Sequence, residues 1–478
     1  MMSRIVIWRW PVLVVSIFVG FALLTGCGGA ASSTSSSTPS ASGGTGSSGS
    51  GGTSGGSGGT AGTSGTSGGS GSSSGSGSGS SGSSSSGGSG GSSGGSGSGS
   101  GGGTSGGSGS GSSGGGSAQS AQYLFVDSNF VASNTSVVEY SINSSNGALT
   151  KIGSVQPATG NNVDDMTVDA KHHRLYVMQK TPVPPAPANT KVFTYEVDPG
   201  TGNVTQSSAA PYTTTDELAF PVISVDARFM FTGDYATPSL FHTLLLDSAS
   251  GAVTQQGETT QASEQPTAVM QPAVEPNGKY VYAANAENNH IYGFSINGGV
   301  GTLTFVPGVP FTVGSTTSGC PPKSPYCAAP MAFANGYLYM VDTAFPELVA
   351  FKIDQGTGSL TGVAGSPFTT GNTTYDSIAT TPNGKFLYAA SSLSSVLAGW
   401  SLDPSTGIAT PIPGSPWTLP GSSQWSAVVV DTTGQYVYAS NTSSLTGWKI
   451  DPGTGALTAL SGSPFSTNAN ATRIAIVP

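Results

Sequence analysis

The sequence predicts an all-β fold, a seven-bladed β-propeller of four-stranded antiparallel blades. One short phrase recurs seven times: an Asp or Asn, small turn-forming residues, a Gly, one further residue, an aliphatic residue and usually a Thr. The glycines of this phrase recur about every 50 residues, the spacing of one repeated supersecondary unit. They are Gly147, Gly202, Gly251, Gly301, Gly358, Gly407 and Gly455. The strand pattern inside each copy then predicts a blade.

Each copy contains four strand signals in a fixed order. A short first strand ends in a turn such as Pro-Asn-Gly at 276–278, where Pro presets φ and Asn-Gly accepts φ above zero. An aromatic and β-branched run follows, as at 280–285, and such residues fit a pleated sheet. Alternation at 291–296 is typical of a half-buried third strand. The fourth strand ends near a Pro, which lacks a donor and suits a sheet edge.

The two ends of the propeller complete each other. The chain enters at 123–126 with an aromatic second strand that has no first strand, and it ends at 473–477 with a first strand that has no blade. We therefore expect the C-terminal strand to pair in blade one, with Ile474 near Leu124. This pairing would close the ring and leave no blade with an unpaired inner edge.

Residues 1–26 are predicted to be a targeting segment, with Arg4 and Arg9 near an apolar run that leads to Leu-Thr-Gly-Cys at Cys27. This pattern resembles the bacterial lipoprotein signal, which implies cleavage before Cys27 and acylation of that cysteine. An uncleaved membrane anchor is the alternative, although the apolar run is only marginally long enough to span a bilayer. Both alternatives export the rest of the chain. We expect a lipid-anchored protein of the cell envelope, at the outer membrane or the cell surface.

Residues 27–122 form a linker rich in Ser, Gly and Thr between Cys27 and the propeller at 123–478. From 31 to 117 the linker has no aromatic and no charged residue, so it cannot bury enough apolar surface to offset its ordering entropy. We expect it to be disordered. The formal net charge of the chain is −9, and its 14 Lys and Arg are too few to neutralise a row of phosphates. Nucleic acid is therefore excluded as an expected partner, and we expect a monomer.

Cys320 and Cys327 fall in the long loop predicted between blades four and five. Because export places them in an oxidising compartment, we expect them to form a disulfide. A metal site would need more thiolates or histidines than lie near them in the sequence.

The loops on one face of the predicted propeller vary in length, whereas the turns on the other face are short and nearly uniform. We expect any binding site on the variable face, at the mouth of the central channel. The candidate residues are those just before the innermost strands: Asp164, Asp165, Asp216, Glu217, Glu264, Tyr375, Asp376 and Trp425. Six of these are acidic, and they could hold a divalent cation or a basic or hydroxyl-rich ligand. Alternatively the carboxylates are merely solvated, and no cofactor or resident metal is predicted.

The usual catalytic constellations are missing from the sequence. No Gly-x-Ser-x-Gly elbow stands between a strand and a helix. His172 and His173 fall in a turn of the uniform face, where surface histidines are the default, whereas His242 in a strand and His290 in a variable loop have no evident partner. Arg473 falls in the closing strand, and we expect the arginines to lie away from the mouth. An acid–base pair assembled from different blades stays open.

Tyr-Val-Tyr-Ala-Ala-Asn at 280–285 and Tyr-Val-Tyr-Ala-Ser-Asn at 436–441, with the Pro-Asn-Gly-Lys turns and the repeated phrase, resemble the YVTN-type repeats of the seven-bladed lactonase propeller family. That family includes 6-phosphogluconolactonase. The resemblance covers about residues 123–478, and it implies the propeller fold and lactone hydrolysis as one activity. The resemblance implies a site over the channel in which basic and acidic side chains hold a sugar phosphate. With the arginines expected elsewhere, the resemblance implies an uncharged lactone here, and no catalytic residue is carried over.

Two functions therefore follow from the sequence. The first is a binding or interaction module, favoured by the lipid anchor, the long linker and the lack of a charged catalytic cluster. Its ligand would be a protein, a glycan or a small molecule. The alternative is a hydrolase of an extracytoplasmic lactone, favoured by the family resemblance. Of the two, we expect the binding module and not an enzyme.

Overall fold

The computed structural model describes residues 121–128, 136–157, 162–180, 189–234, 241–259, 270–285, 290–313, 330–341, 346–371, 373–420, 426–441, 444–467 and 471–478. These residues belong to one compact unit, Ser108–Pro478. They form β-strands in seven antiparallel sheets and contain no helix, so the predicted all-β propeller is confirmed. No helix that could cross a membrane occurs in these ranges.

Each sheet is one blade. From the innermost strand outward, blade one consists of β33 (Ala471–Val477), β1 (Gln122–Ser128), β2 (Val137–Ile142) and β3 (Leu149–Val155), and blade two of β4 (Asn162–Asp169), β5 (Arg174–Lys180), β6 (Thr190–Val197), β7 (Val204–Gln206) and β8 (Tyr212–Thr214). Blade three consists of β9 (Leu218–Ile223), β10 (Phe229–Asp234), β11 (Phe241–Leu246) and β12 (Val253–Thr259), and blade four of β13 (Met270–Val274), β14 (Tyr280–Asn285), β15 (His290–Ile296), β16 (Leu303–Phe305) and β17 (Phe311–Thr312).

The remaining three blades follow the same order. They are blade five, β18 (Met331–Ala334), β19 (Tyr337–Val341), β20 (Glu347–Ile353), β21 (Leu360–Gly362) and β22 (Phe368–Thr369); blade six, β23 (Ser377–Thr380), β24 (Phe386–Ser391), β25 (Val396–Leu402), β26 (Ala409–Pro411) and β27 (Trp417–Thr418); and blade seven, β28 (Val428–Val430), β29 (Tyr436–Asn441), β30 (Ser444–Ile450), β31 (Leu457–Ala459) and β32 (Phe465–Ser466).

The outer strand differs from the prediction in five blades, where two short segments replace one fourth strand. In blade four, β16 and β17 both pair with β15, and Pro310 lies just before β17. Because a Pro cannot donate to a ladder, its place at the outer edge costs the sheet no internal hydrogen bond.

The ring closes as the sequence predicts. Strand β33 pairs antiparallel with β1, with Leu124 opposite Ile476 and Val126 opposite Ile474. Blades seven and one are also joined through the hydroxyl of Tyr438, which donates to the carbonyl oxygen of Gly147 at 2.7 Å. The first and last segments of the propeller therefore belong to one blade, which also packs against blade seven.

The repeated glycines lie where consecutive blades meet. All seven have φ between 68° and 78°, a region that favours glycine. At six of them an aromatic ring of the preceding blade fills the space a Cβ would occupy; at Gly407 this Cβ would lie 2.4 Å from the ring of Tyr337. The hydroxyl of Tyr339 donates to the carbonyl oxygen of Gly407 at 3.0 Å. The repeated phrase is thus a junction between blades as well as a hairpin turn.

The acidic residue of the phrase holds the turn itself. Oδ1 of Asp403 accepts the N–H groups of Ser405 at 2.8 Å and Thr406 at 3.0 Å, and also the hydroxyl of Ser405 at 2.6 Å. These bonds, with that from the Ser405 hydroxyl foremost, lower the pKa of Asp403 to about 2. Asp or Asn recurs here because its short side chain can accept hydrogen bonds from the turn that follows.

Candidate functional site

Three of the seven innermost strands are irregular, and they are neighbours in the ring. Near its first residues β33 places two residues opposite Asp127, β4 has the extra residue Asp164, and β9 places Phe220 and Pro221 opposite one residue of β10. The innermost strands of blades four to seven pair in continuous register wherever they are described. Bulges re-aim side chains and are common beside active sites. We call Asp127, Asp164, Asp165, Phe220 and Arg473 the bulged sector.

One carboxylate of blade two joins the three irregular strands. Oδ1 of Asp165 accepts the N–H of Met166 at 2.9 Å and the Nε–H of Arg473 at 3.3 Å. Oδ2 accepts the backbone N–H of Phe220 at 3.0 Å. Asp165 is buried, and burial raises its pKa; Arg473 lowers that pKa, Asp164 raises it, and the two N–H groups lower it. Blade two is therefore linked to blade one through Arg473 and to blade three through Phe220.

Arg473 is held by three different strands. Its backbone N–H donates to Oδ1 of the buried Asp127 at 2.6 Å, and its guanidinium carbon lies 5.3 Å from the centroid of the Phe220 ring. The side chain remains 31% exposed. Arg473 therefore lies beside one of the carboxylates expected at the mouth, although the arginines were expected apart from them. The closing strand is itself an innermost strand, and its bulge brings Arg473 beside Asp165.

A second carboxylate with a raised pKa lies just before β23, in blade six. Oδ2 of Asp376 accepts the N–H of Ser392 at 2.6 Å, and the side chain is partly exposed. Burial raises the pKa of Asp376, while hydrogen bonds from Ser392 and Ser426 and the charge of Arg473 lower it. One guanidinium therefore acts on two carboxylates, and Asp376 is the more accessible of them.

The family follows from a comparison with known sequences. The family model described as Lactonase, 7-bladed beta-propeller matches residues 126–315 and 329–469. This chain belongs to the lactonase propeller family. Among curated proteins, none matches this lactonase-family chain.

Solved structures are similar to this lactonase-family propeller in fold. A candidate 6-phosphogluconolactonase from Bacteroides uniformis is 14% identical, with 75% of this chain and 100% of that chain covered and a TM-score of 0.60. The periplasmic gluconolactonase of Pseudomonas aeruginosa is 16% identical, with 75% and 99% covered and a TM-score of 0.57. A protein from Lactobacillus plantarum is 15% identical, with 75% and 100% covered and a TM-score of 0.55. Identities this low establish the fold alone.

The other residues expected at the mouth of the lactonase-family propeller have different surroundings. Asp164 forms an ion pair with Lys180, with Oδ2 and Nζ 2.7 Å apart. Asp216 accepts the hydroxyl of Thr214 at 2.6 Å, and Glu217 is half-buried. Of the expected residues that the structure describes, Asp165 contacts Arg473, and Asp376 has its pKa lowered by the charge of Arg473.

Tyr375 lies in the protein core. It is 2% exposed and packs edge-on against Trp400 at 5.7 Å between ring centroids. The structure therefore makes it a packing residue between blades five and six. The other expected site and modification residues lie outside the described residues: Glu264, Trp425, Cys27, Cys320 and Cys327.

The described residues give no support to a bound cation. Among them, no group of three or more His, Cys, Asp or Glu side chains is arranged to hold a metal ion. Both oxygens of Asp165 and Oδ2 of Asp376 accept N–H groups of the protein.

Blade three contains a buried His–Asp pair that sequence reasoning missed. Nε2 of His242 lies 2.8 Å from Oδ2 of Asp234, and both side chains are at most 2% exposed. His242 therefore has a partner, contrary to expectation, because the hairpin of β10 and β11 brings together residues eight positions apart. Asp234 also pairs with Leu218, near the start of innermost strand β9.

Proposed function

We propose that this lactonase-family propeller hydrolyses a lactone at the mouth of its channel. The observation that carries the proposal is Arg473, a partly exposed cation that contacts the buried carboxylate of Asp165 and whose charge lowers the pKa of the partly exposed Asp376. Lactone hydrolysis needs positive charge where the carbonyl oxygen becomes an oxyanion, and a base that takes a proton from the attacking water. Arg473 of the bulged sector supplies the positive charge, and Asp376 supplies the base.

The geometry suggests a role for each group. Asp165 is buried and accepts three N–H groups, so it suits holding Arg473 in place. Arg473 donates to the carbonyl oxygen, and the partly exposed Asp376 accepts a proton from water as the water oxygen attacks the carbonyl carbon. The ring C–O bond then breaks, and the leaving oxygen takes the proton back from Asp376. One lactone and one water thus become one hydroxy acid.

The charge around this site favours a lactone that carries no phosphate. The described carboxylates Asp127, Asp164, Asp165 and Asp376 outnumber the cations Arg473 and Lys180, and Lys180 is already paired with Asp164. A dianionic phosphate would be repelled by such an excess of negative charge. The names of the solved relatives include both a gluconolactonase and a candidate 6-phosphogluconolactonase, so the choice of a neutral lactone rests on the charge around the site.

Arg473→Gln is expected to lower kcat/KM for a neutral lactone by about 100-fold or more, because the loss of one oxyanion donor has an effect of this size. Hydrolysis of a panel of neutral and phosphorylated aldonolactones by the purified protein provides the measurement. Arg228→Gln is the control, since Arg228 lies in blade three and donates to backbone carbonyls of blade four. If wild-type protein hydrolyses no lactone, or if the two variants are equally active, the proposal is wrong.

The acid limb of the pH–rate profile is expected to move to higher pH in Arg473→Gln. Asp376 must be ionised to act as a base, so activity rises as pH increases through its pKa. Because Arg473 lowers that pKa, removing the charge raises it further. Residual activity measured from pH 3 to pH 8 provides the check. An unshifted limb, or full activity in Asp376→Asn, would exclude Asp376 as the base.

We also propose that the enzyme is lipid-anchored at the cell envelope through Cys27, with residues 27–122 as a tether. The anchor and the tether suit an enzyme as well as a binding module. The third argument for a binding module, the lack of a charged cluster, is removed by Arg473 and its two carboxylates.

Cys27→Ser is expected to release the protein from membranes, because serine lacks the thiol that the proposed lipid attachment needs. Wild type should partition into the detergent phase of Triton X-114 and the variant into the aqueous phase. Equal partitioning of the two proteins would rule out this anchor.

A further inference from the structure

Phe220 has a backbone conformation that an aromatic residue rarely adopts. Its φ is 55°, in the left-handed region. Of the five non-glycine residues with positive φ in the described chain, Phe220 alone lies inside a strand, and the others lie in turns or bends. Such outliers persist only where the surroundings impose them, and they cluster at functional sites. The bulge in β9 therefore calls for a reason.

The contacts of Phe220 show what imposes this conformation. Its backbone N–H donates to Oδ2 of Asp165 in blade two, and the bulge is also tied by the hydroxyl of Thr232, which donates to the carbonyl of Ala219 at 2.6 Å. The half-buried ring then lies 5.3 Å from the guanidinium carbon of Arg473, which belongs to blade one. A cation within about 6 Å of a ring centroid is attracted by the negative face of the ring.

We propose that Phe220 is a positioning residue, whose ring holds the Arg473 guanidinium toward the channel while Asp165 fixes the same guanidinium from its Nε side. The kinetic part of this inference rests on the proposed lactone hydrolysis. Phe220 itself touches no reacting atom in this scheme and acts only through Arg473. A ring that served only to fill space could be replaced by another apolar side chain without effect on Arg473.

Replacing the ring separates these roles. Phe220→Leu keeps an apolar side chain but loses the ring face, whereas Phe220→Trp keeps a ring that attracts cations more strongly. In the full-length protein, Phe220→Leu is expected to lower kcat about tenfold, with KM nearly unchanged, because Arg473 acts on the transition state. Phe220→Trp should retain activity within about twofold of wild type, and the Leu variant should melt near the wild-type temperature.

A second measurement does not depend on lactone hydrolysis. The charged groups that act on Asp165 are Arg473, from β33, and Asp164, from its own strand. When the ring is lost, Arg473 should move from Asp165, and the pKa of Asp165 should rise. NMR titration with 13Cγ-labelled aspartate, with the signal assigned by Asp165→Asn, follows this pKa in wild type, Phe220→Leu and Phe220→Trp. Only the Leu variant should shift; Phe220→Met replaces it if Leu prevents folding.

The outcomes separate the two proposals. If wild type hydrolyses no lactone but the Asp165 titration shifts in Phe220→Leu and not in Phe220→Trp, Phe220 positions Arg473 and the proposed reaction is wrong. If the titration is the same in all three proteins, or if Trp shifts it as much as Leu, the positioning role is wrong whatever the activity.

Discussion

Gly407→Ala is expected to lower the free energy of unfolding by roughly 2–5 kcal/mol, from left-handed strain and overpacking together. Gly407 has φ of 76°, and a Cβ placed there would lie 2.4 Å from the Tyr337 ring of the preceding blade. Tyr337 cannot yield easily, because it is 4% exposed and its hydroxyl donates to the carbonyl of Ser405 at 2.7 Å. Moving the ring would therefore disturb the junction between blades five and six.

Urea unfolding followed by circular dichroism measures this loss, and the chain contains a matched control. Gly414 has φ of 88° and no atom within 4 Å of an added Cβ, so Gly414→Ala reports the backbone cost without the contact. We expect Gly414→Ala to lose only about 1–2 kcal/mol. Equal losses in the two variants would show that the ring contact contributes nothing to stability.

The fold could be predicted from sequence because its determinants are local and repeated. Each copy of about 50 residues contains its own alternating strand patterns and turn residues, and the copies recur at a regular period. Contacts with distant parts of the chain therefore change these local preferences little. The role of the repeated glycine was less visible. The ring that packs on Gly407 belongs to Tyr337, far upstream in the preceding blade. The residues of the repeated phrase do not by themselves indicate that contact.

The candidate site was predictable only in part, and the bulges explain why. The placement of Asp165 in an innermost strand and of Asp376 just before another follows from strand order. The position of Arg473 does not follow from strand order. One extra residue in a strand changes which way a side chain points, but it does not change the amino-acid composition of the strand. Phe220 reads as an ordinary strand residue for the same reason. Tyr375 and Asp376 show the limit of strand order, since these neighbours just before β23 have different surroundings: Tyr375 is buried in the core and Asp376 is partly exposed.

Glu139→Gln is expected to stabilise the propeller at pH 8 and to have little effect at pH 4. Glu139 lies in β2 opposite Phe125 and is 4% exposed. In blades four, six and seven the residue at this position is glycine opposite a tyrosine: Gly293, Gly399 and Gly447. In blade one this position is Glu139, and its carboxyl group lies beside Gly153. A Cβ added to Gly153 would lie 2.6 Å from Oε2 of Glu139.

The direction of the pH effect follows from burial, which raises the pKa of Glu139 from 4.5 to about 7. A carboxyl group with a raised pKa in the folded state contributes its full share of stability below the unfolded pKa. That contribution is lost as pH rises from about 4.5 through about 7, because the folded protein must then hold a buried charge. The difference between these pKa values corresponds to at most about 3 kcal/mol above pH 7. Glutamine keeps the shape of the neutral acid and never ionises.

Urea unfolding of wild type and Glu139→Gln at pH 4, 6 and 8 tests this expectation. The stability difference should be near zero at pH 4 and should grow in favour of glutamine as pH increases, because only the glutamate becomes charged. Glu347→Gln, at the half-buried start of β20, controls for any general effect of replacing a glutamate. A difference that is constant with pH, or one that favours glutamate at pH 8, would mean that the Glu139 carboxylate finds solvent or a partner in the folded protein.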